Sequence, residues 1–170
     1  HSTSVNPDQI TLDVTGFYHI SYGVGSDNAD TGNRHAVEAK LRVDTGGGFN
    51  DIEYGWAHGN ARANNAGNLH AVEGSTLLEA SAGDIVKLRL ARASTVDGGT
   101  FCTLGNQLHL DIEYLGTGLN ALRLHDSAGG EVVDDAGVRI MDYDTVDEEG
   151  SAFTVSGTDD TTITIDTTGL

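Results

Sequence analysis

Seven histidines, one acidic run and one cluster of cations are the residues of this 170-residue chain whose types suit chemistry. The histidines are His1, His19, His35, His58, His70, His109 and His125. None stands in the H-E-x-x-H spacing that puts two imidazoles on one helix face, and Cys102 is the only cysteine. Surface or hydrogen-bonded side chains are therefore the plain reading of the histidines. Cys102 reads as a small buried side chain, and no intrachain disulfide can form.

The run "DYDTVDEE" places Asp142, Asp144, Asp147, Glu148 and Glu149 close together. Carboxylate oxygens at such spacing suit Ca²⁺ or Mg²⁺, although the glycine and the bidentate glutamate of an EF-hand are missing. A solvated acidic loop accounts for the same residues. No motif requires a cofactor. There is no G-x-S-x-G elbow, and the Gly46 to Gly48 run lacks a following Lys-Ser/Thr, so no catalytic residue is assigned and the chain reads as non-enzymatic. Tyr54 and Trp56 in "DIEYGWAHG" read either as core or as a sugar-stacking platform.

The acids number 26 against nine Lys and Arg, a net charge of -17. That balance disfavours phosphate neutralisation, hence nucleic-acid binding, and docking on an anionic membrane. No run approaches the ~18 apolar residues of a spanning helix. The opening "HSTSVNPDQ" lacks the regions of a signal peptide, and a start at His1 rather than Met suggests a processed or partial product. Self-repulsion at this charge weakens a compact state in dilute buffer. Molar salt shortens the screening length to about 3 Å, so the composition reads as adaptation to hypersaline surroundings.

Apolar and polar residues alternate over short runs divided by Gly, Asn and Asp clusters, the signature of half-buried strands. The pattern predicts strands at 9–14, 16–24, 37–43, 51–57, 68–72, 75–80, 84–93 and 107–115, an all-β sandwich or jelly roll. Segments 25–35 and 57–67 read as surface loops. Residues 1–116 carry 14 acids and seven cations, whereas 117–170 carry 12 acids and two cations. The expectation is a jelly-roll domain over 1–116 and a small β-rich acidic C-terminal appendage over 117–170, with strands at 121–124, 131–133, 138–141, 152–155 and 161–166.

The order of "GFYHISYGVG" (16–25), "VEAKLRVD" (37–44), "LLEASAGDIVKLRLA" (77–91) and "LHLDIEYLG" (108–116) resembles the tumour necrosis factor and complement globular-head superfamily. The resemblance implies a ten-stranded TNF-like jelly roll assembled as a homotrimer. It also implies that the strands bearing "GFYHISYGVG", "DIVKLRLA" and "LHLDIEYL" share the sheet turned towards the threefold axis. Side chains alternate between faces along a strand. Tyr18, Ile20, Tyr22 and Val24 then point inwards, as do Val37, Ala39, Leu41 and Val43, Val86, Leu88 and Leu90, and Leu108, Leu110, Ile112 and Tyr114. Phe17, His19, Ser21, Lys87, Arg89, His109, Asp111 and Glu113 point outwards and form the expected trimer interface.

Two readings of Lys87 and Arg89 stay open: cations that are solvated or paired within their own subunit, or partners of Asp111 or Glu113 in a neighbouring subunit. His19 and His109 are the pair that three copies could bring together around an axis to hold a metal or an anion. Such heads occur on fibres and capsids, and with the charge signature this gives a functional expectation. It is a virion structural protein of a haloarchaeal virus, a capsid turret, decoration or fibre head, exposed on the particle surface in a hypersaline extracellular setting. Its partners would be itself as a homotrimer and other virion proteins. The alternative is a receptor-binding or lectin-like head recognising glycan or protein on the host cell surface.

Overall fold

A computed structural model describes residues 8–28, 35–61, 69–92, 101–118, 122–125, 145–149, 153–155 and 163–165, and the described elements are all strands. Contacts divide the chain into two units, 1–117 and 118–170. In the first unit the strands are β1 (Ile10–Thr11), β2 (Gly16–Asn28), β3 (His35–Asp44), β4 (Phe49–Ala61), β5 (Leu69–Ala80), β6 (Ile85–Arg92) and β7 (Phe101–Gly116). They form two antiparallel sheets, of order β1-β6-β3-β4 and β5-β2-β7. Sequence neighbours β2 and β3 stand in different sheets, as do β4 and β5, and β6 and β7, which is the crossing connectivity of a jelly-roll sandwich. Seven strands are described here, where the resemblance implied ten.

The core comes from the strand alternation. β2 supplies Tyr18, Ile20, Tyr22 and Val24, and β3 supplies Val37, Ala39 and Leu41, each buried. Ile52, Val72 and Val86 join them from β4, β5 and β6, with Leu88, Leu90, Leu110 and Ile112 packed against the cluster. Two expected inward residues of β7 are instead exposed, Leu108 at 55% and Tyr114 at 45%. β7 is an edge strand of its sheet. Leu108 opens onto a gap of about 310 Å³ that Ile10, Leu88 and Leu110 also line.

Several boundaries differ from the sequence pattern for physical reasons. The predicted strands at 68–72 and 75–80 are one strand, β5, with Gly74 inside it. A Cβ on Gly74 would lie 2.5 Å from the Tyr22 hydroxyl, so this glycine makes room for a buried phenol and does not turn the chain. The segments read as loops are partly strand, since β2 runs on to Asn28 and β4 to Ala61. β1 shrinks to Ile10–Thr11, although Leu12 continues the contact by donating to Asp84 O and accepting from Gly83 N, both at 2.8 Å.

Tyr22 offers a pH test of the core. It is 1% exposed, and burial raises its phenol pKa above the ordinary 10.0. The unfolded chain therefore releases this proton first, so the stability linked to Tyr22 is intact below pH 10.0 and falls as pH rises from there through the folded-state value. Alkaline denaturation in molar salt, followed by tyrosinate absorbance, is expected to show Tyr22 ionising only as the sandwich opens. Tyr22→Phe should flatten that part of the profile; an unchanged profile would contradict the assignment.

In the second unit β8 (Leu122–His125) pairs with β9 (Thr145–Glu149), and β10 (Phe153–Val155) with β11 (Ile163–Ile165), both antiparallel. The strands expected at 131–133 and 138–141 lie outside the described residues.

Candidate functional site

The sandwich has two outer faces, and the candidate site residues divide between them. On the β5-β2-β7 face, β2 is central, with His19 opposite Leu77 and Glu113, Ser21 opposite Ser75 and Asp111, and Gly23 opposite Glu73 and His109. The small residues of β2 form a trough into which β7 leans. A Cβ on Gly23 would lie 2.2 Å from His109 Cε1, and one on Gly25 2.2 Å from Gln107 Oε1. Ser21, Glu73, Ser75 and His109 line a depression of about 370 Å³ there. Phe17 is half-buried at one end of the row.

This face is anionic. Glu73, Glu79, Asp111 and Glu113 are all exposed on it, and its candidate cations are His19 and His109. His109 Nε2 stands 3.9 Å from Asp111 Oδ2, too far for a hydrogen bond. His19 and His109 share the face at positions four residues apart along it, roughly 13 Å in an extended strand, so they do not meet within one chain.

The other outer face collects cations. In register, Lys40 stands between Trp56 and Arg89, and Arg42 between Asp51 and Lys87. Four of the nine Lys and Arg residues thus sit on adjacent strands, an arrangement that repels unless acids intervene. Glu38 and Asp51 supply that relief. Lys40 Nζ lies 3.1 Å from Glu38 Oε1 and 3.5 Å from Asp51 Oδ2, and Arg42 Nε lies 2.8 Å from Asp51 Oδ1. This last contact is a charge pair, not an aligned hydrogen bond, for Arg42 Nε has no hydrogen-bond partner. The Arg42 guanidinium also donates to the Phe49 carbonyl, and Lys87 Nζ lies 3.7 Å from the Phe49 ring centroid.

The expected interface is corrected on one point. Lys87 and Arg89 were placed on the sheet that carries His19, Asp111 and Glu113. They point outwards as expected, but β6 belongs to the other sheet. Lys87 and Arg89 therefore lie on a different sheet from His19, Asp111 and Glu113, and no one sheet face presents both groups. Alternation along β6 is the same whichever sheet it joins, so nothing local to the strand distinguishes the two placements.

Trp56, for which core and platform were both open, is 52% exposed. The cause is an irregularity in the β3–β4 ladder. Lys40 pairs Trp56, yet two residues on Arg42 pairs Asp51, so β4 accommodates three extra residues. Gly55 tucks into the sheet, with its Cβ position 3.0 Å from Leu41 Cβ, and Trp56 faces outwards. A glycine directly before an aromatic within a strand was the available signal.

In the acidic run, residues expected as a loop are strand. Asp147, Glu148 and Glu149 lie on β9, where Glu148 pairs Arg123 in register and Asp147 falls at the irregularity. Asp142 and Asp144 lie outside the described residues, as does His1. Among the described residues no three His, Cys, Asp or Glu side chains group as a metal site. His35, His70 and His125 are spread over β3, β5 and β8, and Cys102 lies on β7 opposite Asp27.

Together these features define an all-β jelly-roll sandwich with one anionic and one cation-rich outer face. No family model matches the chain, and no curated protein matches it. Solved structures to which it is similar include the Eiger TNF of S. frugiperda, at 10% identity and a TM-score of 0.49 over 73% of this chain and 70% of that one. Murine APRIL at pH 8.0 is similar at 14% identity and a TM-score of 0.45, over 64% of this chain and 70% of that one. The globular domain of zebrafish complement 1qA protein is similar at 15% identity and a TM-score of 0.37, over 64% and 67%.

Proposed function

We propose that the chain is a non-enzymatic head that works as a homotrimer, joined through the outer face of β5-β2-β7. The observation that supports this most is the trough on that face. Ser21 lies on its middle strand and, with Ser75, lines the open depression of about 370 Å³ that a second copy can enter, whereas Gly23 and Gly25 are already covered by the His109 and Gln107 side chains of the same chain. Outside the trough, His19, Asp111 and Glu113 are exposed and available for a neighbour. The resemblance of the strand motifs to the tumour necrosis factor and complement heads also implies this use of the face.

Exposed carboxylates brought together around an axis repel, and molar salt screens that repulsion. The proposed setting is therefore hypersaline, with the head carried on the surface of a virus particle as a turret, decoration or fibre head and docked on other virion proteins. Sedimentation equilibrium in molar NaCl is expected to give three times the chain mass, falling towards the monomer as salt is removed. Ser21→Arg, which fills the trough with a long side chain, should give monomer with unchanged circular dichroism. A monomeric wild type in molar salt, or a trimeric Ser21→Arg variant, overturns the proposed interface. Immunogold labelling of native particles tests the virion placement separately.

A further inference from the structure

We propose that Trp56 and the charged side chains around it form a binding site for a pyranose sugar, on the face away from the self-association trough. The half-exposed indole lines a cleft of about 220 Å³ together with Lys40, Asp51 and Ile52. That is smaller than the ~300 Å³ usual for drug-sized ligands and suits one small ring.

The side chains here are held before any ligand arrives. Lys40 Nζ lies 4.9 Å from the indole centroid, and the His58 ring meets the indole edge-on at 5.0 Å and 77°. His58 Nε2 is in turn 3.2 Å from Glu38 Oε2, the carboxylate that also holds Lys40. Trp56 is thus fixed by neighbours that are themselves paired, which lowers the ordering cost of binding.

The chemistry selects the ligand class. A flat apolar wall with both acceptors and donors at its rim matches a ring that has a C–H face and hydroxyls around its edge, each hydroxyl able to donate and to accept. Glu38 and Asp51 pair with Lys40 and Arg42 at the cleft, so donors and acceptors stand side by side there, while Lys87 and Arg89 lie beside them in register on the wider cation-rich face. A purely apolar ligand would strip water from Lys40 and Asp51 and return no hydrogen bonds.

Trp56 is the only tryptophan, so intrinsic fluorescence reports this site directly. Titration of the full chain in molar NaCl with the methyl glycosides of glucose, galactose, mannose and N-acetylglucosamine is expected to give a saturable change with at least one of them. Sorbitol, an open-chain polyol with no ring, should give none. Asp51→Asn should weaken binding roughly tenfold, the loss of one charge-assisted hydrogen bond. Trp56→Ala should abolish binding by calorimetry, and Trp56→Phe, which keeps a ring and the strand, should weaken it. No saturable response to any glycoside, an equal response to sorbitol, or unaltered binding by Trp56→Ala would each overturn the proposal. Ser21→Arg should bind as the wild type does, so failure of the trimer interface and failure of the sugar site are read separately.

Discussion

Leu41→Ala is expected to cost the first unit about 2–5 kcal/mol, a large share of the ~5–15 kcal/mol that holds such a domain folded. Leu41 is 0% exposed and sits mid-way along β3, which has β6 on one side and β4 on the other. Gly55 contributes no side chain there, and its backbone already lies against Leu41. Sheet neighbours on both sides hold the backbone, so the site cannot collapse around an alanine and a cavity should remain. Urea unfolding in molar salt should show a lower midpoint with an unchanged slope, because the surface exposed on unfolding is nearly the same. A loss below about 1 kcal/mol would mean that Leu41 is not at the centre of the packing.

The second large effect is expected at Gly16, where β2 begins. Its φ is +150°, and a Cβ there would lie 2.5 Å from the Gly116 carbonyl oxygen and 2.8 Å from Tyr114 Cε2. The oxygen belongs to the backbone of the adjacent strand and cannot swing away. Gly16→Ala should therefore cost of order 1–3 kcal/mol through backbone strain, with the clash in addition. Gly23→Ala is the control. Its nearest obstruction is at 2.2 Å, closer still, but it is the end of the half-exposed His109 side chain, which can turn into solvent. Gly23→Ala should therefore unfold close to wild type. If the two variants lose equal stability, the distinction between a backbone and a side-chain obstruction fails.

Much of the sandwich was legible in the sequence because alternation is a local property. In "GFYHISYGV" and "VEAKLRV" each apolar residue assigned inwards is buried or packed against the core, since a strand with one dry face needs no knowledge of its neighbours to divide its side chains. Gly74 shows where local reading ends. Within "VEGST" it resembles a turn, yet it lies inside a long strand because Tyr22, more than 50 residues away in sequence, fills the space above it. Leu108 and Tyr114 carry the inward pattern but remain exposed because their strand is at the edge of its sheet.

The candidate site residues divide in the same way. The sequence alone determined that Lys87 and Arg89 point away from the core, and that His19, Ser21, His109, Asp111 and Glu113 do likewise, because period-two alternation settles the face within each strand. Tertiary structure decided that these two groups belong to different sheets, since strand pairing is a contact between distant segments and leaves no mark on either one alone. It also decided the place of Trp56. The extra residues in β4 matter only against the register of β3, and that register turns the ring out beside Lys40 and Asp51.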